Sequence, residues 1–288
     1  DKPMTFSIVA RDHQTGEFGI AVQSKFLAVG AVVPWAKAGI GAIATQAFVN
    51  TNYGPQGLEL LRTGLSAEET LNTLIEKDAG RAERQVGIIG MNGMPVTYTG
   101  ENCFDWAGGI VGEHYACQGN ILVGKETVIA MARSFEETSG LLCDRLLEAL
   151  AAGQAAGGDS RGQQSAALLV VKEHGGYGGY TDRFIDLRVD DHPAPIEELK
   201  RILQLHKLYF FRPNPADILP IDSTLTSEIQ ELLTATGDYH GTITGTYDEV
   251  TRRAFRAFTG RENLEERWFE DARLDKVVLN FLRQHVRG

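Results

Sequence analysis

The sequence predicts an α+β fold: two antiparallel sheets, each covered by helices on its outer face, then a small, mainly helical C-terminal domain. Three observations predict it. Strand-like segments come in hairpins and helix-like segments in pairs, not in the strict alternation of a doubly wound parallel sheet. Residues 166–171 are apolar on both faces, as a strand covered on both sides must be. At 211–220 the composition shifts: Pro213, Pro215 and Pro220 form a stiff linker, and the chain beyond it reads as helical. The boundary is placed at about 212, giving domains 1–211 and 212–288.

Residues 4–10 alternate apolar and small polar side chains, the period of a half-buried strand. Residues 16–25 form a second strand after a polar turn closed by Gly16, so the two make a hairpin. Residues 39–47 are a third strand, whose small side chains suit close approach by a neighbour or a ligand. Helices follow at 55–62 and 66–76, the latter opened by a capping box of Ser66 and Glu69. Strands at 85–90 and 95–99 flank the hairpin dipeptide Asn92-Gly93, and 106–116 reads as one further strand. Helices at 125–136 and 141–152 precede strands at 163–172 and 183–189, with a glycine-rich turn at 175–179. Residues 195–209 are an amphipathic helix with Ile196, Leu199, Ile202 and Leu203 on or near one face. The C-terminal domain carries helices at 225–236, 247–259 and 272–286.

The 288 residues suffice for one large or two ordinary domains, and 43% hydrophobic with 23% charged content is that of a soluble globular chain. A net charge of −10 argues against nucleic acid or an anionic membrane as the main partner. The three cysteines, Cys103, Cys117 and Cys143, fit no zinc or redox spacing and point to a reducing, cytoplasmic setting. The beginning of the sequence has no charged region followed by an apolar one, and no apolar run is long enough to span a bilayer. No cofactor motif is present: Gly124-Lys125 is followed by Glu126 and lacks the phosphate-loop spacing. Asp190, Asp191 and His192 read as strand-end and capping residues, so no metal is expected.

Chemistry centres on Thr5. Cleavage after Met4 would give it a free α-amine, which titrates near ~7.7–8.0 and can take the hydroxyl proton as Oγ attacks. The plainer reading is a β-branched residue in a strand. Residues Ser24-Lys25 and Thr45-Gln46 close the early strands, and a lysine in that apolar neighbourhood is either functional or exposed at the strand end. Gln118-Gly119-Asn120 reads as a strand-to-helix connection whose Asn120 either donates to an oxyanion or makes a turn. Residues 157–165, with Asp159, Gln163 and Ser165, form a glycine-rich loop leading into a buried strand, either a site loop or a turn. Cys103 and Cys117 lie beside no histidine in a nucleophile signature.

The segments 4–12, 19–26, 44–47, 53–58, 118–122, 157–167 and 188–193 together resemble a bacterial family of unknown function, DUF1028, over about Thr5 to Tyr209. That family is similar to the N-terminal-nucleophile (Ntn) hydrolases, which implies a four-layer α/β/β/α sandwich and attack on amide bonds. By that resemblance Thr5 is the nucleophile and Lys25 lowers its amine pKa by charge repulsion. Thr45, Gln46 and Asn120 would supply oxyanion donors and substrate contacts, with Ser24 and Gln163 beside them. Asp159 and Ser165 would orient the amine. In the sequence as it stands four residues precede Thr5, so its nitrogen is a peptide nitrogen. About 211–288 resembles a peptidoglycan-binding-like domain, through the Tyr239–Gly241 turn and the helix after it. The partners implied are a small amide substrate or a cell-wall fragment. Other readings are a non-catalytic ligand- or glycan-binding protein on the same scaffold, and a homo-oligomer built through the sheets or the C-terminal helices.

Overall fold

A computed structural model describes residues 5–287. Met4, the expected first residue of the first strand, lies outside the described residues, as do Asp1, Lys2, Pro3 and Gly288. The chain divides into two compact units, Asp1–Ile202 and Leu203–Gly288.

The first unit is α+β. Its larger sheet has six antiparallel strands in the order β10-β9-β2-β1-β8-β7: β1 (Thr5–Asp12), β2 (Glu17–Ser24), β7 (Trp106–Gly112), β8 (Tyr115–Leu122), β9 (Ser165–Val171) and β10 (Arg183–Val189). Its smaller sheet runs β3-β4-β5-β6: β3 (Pro34–Lys37), β4 (Gly41–Ala47), β5 (Arg84–Gly90) and β6 (Val96–Thr99). Helices α1 (Tyr53–Arg62) and α2 (Ala67–Glu76) pack on the smaller sheet, and α3 (Glu126–Glu137) and α4 (Leu142–Ala155) on the larger. The faces left over meet each other.

Period-2 alternation decides which residues fill each layer. On β1, Val9 joins Ile20, Ala42, Ala44, Ile89 and Leu169 in the core between the sheets. Its alternate partner Phe6 lies against Gly153 on α4. On β4, Ile43 faces the other way and packs with Tyr53, Leu61 and Leu71 of α1 and α2. The sheets come close where Gly87 on β5 meets Gln118: a Cβ at Gly87 would stand 2.2 Å from the Gln118 Oε1. The expected capping box is formed, with the Ser66 amide donating to Glu69 Oε2 (2.8 Å) and the Glu69 amide to Ser66 Oγ (3.2 Å).

Two expectations for this unit need correction. Residues 106–116 are not one strand: the chain turns after Gly112 and returns as β8. Gln118-Gly119-Asn120 therefore lies inside a central strand and does not connect a strand to a helix. Tyr115 through Leu122 carries small and amide residues without clear apolar alternation, so the sequence pattern understated it. The short strand β3 was also not foreseen.

The second unit is mainly helical. It contains α6 (Ser223–Ala235), α7 (Glu249–Arg261) and α8 (Lys276–Arg287), and a two-stranded sheet of β11 (Ile218–Pro220) with β12 (Arg273–Asp275). Part of the expected stiff linker is thus a strand, and the helix expected from 272 begins at Lys276. The division between units falls within α5 (Pro195–Phe210), whose Leu208 and Tyr209 pack on the second unit's core. That core includes Ile229, Leu233, Phe255, Phe258 and Leu279. Two polar devices sit in it. Gln230 donates to Thr251 Oγ1 (2.8 Å) and accepts from the amides of Thr244 (2.9 Å) and Gly245 (3.1 Å), so one side chain orders the loop before α7. Arg267, 7% exposed, pairs with the fully buried Asp275 at 2.6 Å and donates to the carbonyls of Lys207 and Leu208, both at 2.7 Å. Arg267→Met leaves the buried Asp275 carboxylate without its counter-charge and removes the donor that Arg267 gives to two carbonyls. It is expected to destabilise the second unit by about 3–5 kcal/mol, read as a lower urea midpoint; a change under about 1 kcal/mol would show the pair to be idle.

Candidate functional site

At one end of the larger sheet the inter-sheet face turns from apolar to polar. Strand register places Asn120, Thr5, Ser24 and Ser165 side by side across β8, β1, β2 and β9. All four are buried. The Thr5 hydroxyl donates to Ser24 Oγ at 3.1 Å. One step along β1, Ser7 donates to Gln46 Oε1 (2.6 Å) and accepts from Gln118 Nε2 (2.7 Å).

The smaller sheet answers with amides. Gln46 Nε2 donates to Gln85 Oε1 (2.8 Å) and to the Thr5 carbonyl (3.3 Å). Asn120 Nδ2 also donates to Gln85 Oε1 (2.8 Å). Gln85 Nε2 in turn reaches the Gly119 carbonyl (2.8 Å) and Thr99 Oγ1 (2.9 Å). The Oδ1 of Asn120 and the Oε1 of Gln118 are buried and have no partner. Such acceptors are costly to leave unpaired, so this end of the interface retains polar capacity beside the Thr5 hydroxyl.

Beyond the row, the loops form a rim. Asp159 accepts from the backbone amides of Lys25 (3.1 Å) and Arg161 (2.8 Å) and lies 3.6 Å from the Arg161 guanidinium. Burial pushes its carboxyl above the usual range, while those backbone donors oppose the shift. Lys25 is exposed, and its ammonium donates to the Gln163 carbonyl at 3.3 Å. Ser165 donates to the Phe26 carbonyl and accepts from the Val29 amide (3.0 Å), which fastens the loop after β2. Thr45 points to the opposite face from Gln46, and its hydroxyl donates to the Asn50 carbonyl (3.2 Å). The structure therefore gathers Thr5, Ser24, Gln46, Asn120 and Ser165. It sets Lys25, Asp159 and Gln163 at the rim and turns Thr45 away.

Residues 5–199 match a family described as "Family of unknown function (DUF1028)". The chain belongs to this family. The crystal structure of protein SPO2555 from Silicibacter pomeroyi, which carries the same family assignment, is similar at 32% identity. The match covers 71% of this chain and 89% of that one, with a TM-score of 0.64. Residues 209–282 match a second family, described as "Putative peptidoglycan binding domain". No curated protein matches the chain.

Outside the row, the acid and histidine that follow β10 are occupied. Asp191 accepts from Gln164 Nε2 (3.1 Å), and His192 Nδ1 accepts from the Ala194 amide (3.0 Å). Among the described residues no group of three or more His, Cys, Asp or Glu could hold a metal ion. Cys103, Cys117 and Cys143 are not joined in disulfides; burial raises the pKa of Cys103 and Cys117. Asp78 is held by Arg84 (2.8 Å) and by the Tyr53 hydroxyl (2.8 Å), and Asn50 joins them (3.3 Å). The Arg84 pair holds the Asp78 carboxyl well below the usual range.

Sequence reading passed over Ser7, Gln85 and Gln118. A signal existed: Gln85 on β5, and Gln118 with Asn120 on β8, are amides in strands that are otherwise mostly small or apolar, and buried amides require partners. Gln23, buried on the other face of β2 with neither amide atom paired, carried the same signal.

Two measurements probe this network. Gln85→Leu removes the acceptor shared by Gln46 and Asn120, and should cost roughly 1–3 kcal/mol for each donor stranded, seen as a lower urea midpoint. Asp78 has a depressed carboxyl in the folded state, so its contribution is present above the unfolded range near ~3.9 and lost as pH falls through the folded value. Asp78→Asn should therefore destabilise the protein by about 2 kcal/mol at pH 7. The gap to the parent should close in melts run at progressively more acid pH.

Proposed function

We propose that the DUF1028 domain is an amide hydrolase of the N-terminal-nucleophile type, acting on a small polar or acyl-amide substrate once Thr5 begins the chain. One observation carries this reading: the Thr5 hydroxyl lies in a buried polar row at the start of a central strand, between Ser24 and Asn120. The layering supports it too, since helices α3/α4, the six-stranded sheet, the four-stranded sheet and helices α1/α2 stack in the α/β/β/α order of the Ntn hydrolases.

With Thr5 first, its neutral amine takes the hydroxyl proton as Oγ attacks the amide carbon. The oxyanion draws on an amide N–H donor such as the second N–H of the Asn120 side chain, and losing one such donor costs on the order of 10²–10³ in rate. The amine passes the proton to the leaving nitrogen, and water then cleaves the acyl ester. Asp159, through the Lys25 and Arg161 backbone, holds the rim rather than the reacting atoms.

A second reading has a specific observation in its favour. The match of residues 209–282 to a peptidoglycan-binding family supports a cell-wall ligand, with the first unit as a binding scaffold. Among the described residues no helix is long and apolar enough to cross a membrane.

The deciding experiment starts translation at Met4 without a tag and measures the intact mass. A chain beginning at Thr5 is expected. On that form, Thr5→Ala should keep the fold and lower amide turnover by about 10⁴-fold or more. Retention of Met4, or unchanged turnover in the variant, would sink the hydrolase reading. Retention on purified peptidoglycan, lost on truncation near Tyr209, would favour the binding reading.

A further inference from the structure

A second site stands at the opposite end of the larger sheet from Thr5. Register sets Thr5 and Ser165 beside Ser24 at one end of β2, and Val171 beside Phe18 at the other. Beyond Val171, residues 172–182 carry the chain into β10. An open cleft of about 500 Å³ lies between this hairpin and the end of β3, lined by Lys37, Glu173, His174, Tyr180, Asp182 and Arg183. That volume is within the roughly 300–1,000 Å³ of small-molecule sites. The pairing of β10 with β9 shifts between Arg183 and Ile185, a bulge of the kind that re-aims side chains beside sites.

The hairpin is held from within. The Lys172 amide donates to the Asp182 carbonyl (2.8 Å), the Gly176 amide to the Thr181 carbonyl (2.9 Å) and the Gly179 amide to the Gly176 carbonyl (2.8 Å). Asp182 Oδ2 accepts from the Ala38 amide (2.9 Å) and pairs with Lys37 (3.5 Å), which ties the hairpin to the end of β3. On this fixed frame Tyr180 is 91% exposed, although a tyrosine ring carries a large area to bury. Its ring lies against Gly178, where φ is 66° and a Cβ would stand 2.8 Å from Tyr180 Cε2. The wall favours no ion. Lys37 and Arg183 oppose a cation, Glu173 and Asp182 oppose an anion, and the two basic residues are already paired with Asp182 and Asp186. Among the described residues the Tyr180 hydroxyl and the Glu173 carboxylate have no hydrogen-bond or ion-pair partner.

We infer that this cleft binds a neutral β-linked oligosaccharide, one pyranose ring stacked on Tyr180 and its hydroxyls donating to Glu173 and Asp182. The π face of an aromatic ring is negative and attracts the slightly positive C–H groups on the face of a pyranose. Carboxylates take the hydroxyl protons in charge-assisted hydrogen bonds, which are stronger than neutral ones. A β-1,4-linked chain keeps its ring substituents equatorial, so it offers flat C–H faces, and an open cleft lets it run past both ends. The inference is independent of the hydrolase reading. To the cell-wall reading it adds a site on the first unit, where that reading rested on residues 209–282 alone.

The test uses the full chain with chitotetraose and cellotetraose, read by saturation-transfer NMR and calorimetric titration. At least one of the two should bind at millimolar concentration, with saturation strongest on the ring C–H protons. Tyr180→Ala should weaken that binding about fivefold or more, while Tyr180→Phe should keep it within about twofold. Glu173→Ala should weaken it about threefold or more. Both side chains are exposed, so the fold is spared. Binding by the second unit would survive these substitutions, so unchanged affinity in Tyr180→Ala overturns the inference. Failure of both sugars to bind overturns it as well. Tetramethylammonium bound more tightly than either sugar, and lost in Tyr180→Ala, would mark a cation site and overturn it too. Retention on purified peptidoglycan is scored separately. Retention together with sugar binding that Tyr180→Ala leaves intact would refute the cleft and keep the cell-wall reading. Sugar binding lost in Tyr180→Ala, without retention, would keep the cleft and refute that reading.

Discussion

Amide side chains buried between two sheets must find partners in each other, and the first unit is arranged around that constraint. Gln85 is its centre: one carbonyl oxygen accepts from Gln46 on its own sheet and from Asn120 on the facing one. Its nitrogen is spent on the Gly119 carbonyl and Thr99. An unpaired buried amide costs more than a paired one gains, so the network acts less as glue than as a register lock. A slip by one residue in either sheet would turn these amides toward the helices and bring apolar residues into their place.

The same constraint explains the site. The sheets can bring Gln118 over β5 because Gly87 has no side chain there. That approach carries Ser7, Gln46 and Asn120 to one end of the interface, around the Thr5 hydroxyl. Further along, the interface is apolar, with Val9, Ile20, Ala42, Ala44 and Leu169 in one cluster. Polar groups therefore concentrate where β1 starts, and the strained backbone at Ala47 and Ile121 lies at that end too. The second unit solves its own version of the problem with Gln230 and with the Arg267–Asp275 pair.

Local features of the sequence matched the elements wherever a segment's structure depends on its own residues. The Ser66–Glu69 capping box, the Asn92-Gly93 hairpin and the apolar strand β9 each need only near neighbours to form. The reading failed where pairing is remote. Ile218 to Pro220 became a strand only by meeting residues 273–275. Thr45 and Gln46 are adjacent in sequence and were grouped together, yet successive strand residues face opposite layers. Gln46 reaches Thr5, and Thr45 reaches Asn50.

The sequence by itself determined the family, the α+β class, and most strands and helices. Those follow from periodicity, caps and ordered motifs, which are local properties. Only the tertiary structure decided which polar residues stand beside Thr5. Asn120 is opposite it because β8 pairs with β1 across more than a hundred residues, and Gln85 joins them because a second sheet closes over the first. No local pattern encodes that closure, because it is chosen by the packing of two complete sheets and by the demand that every amide caught between them find a partner.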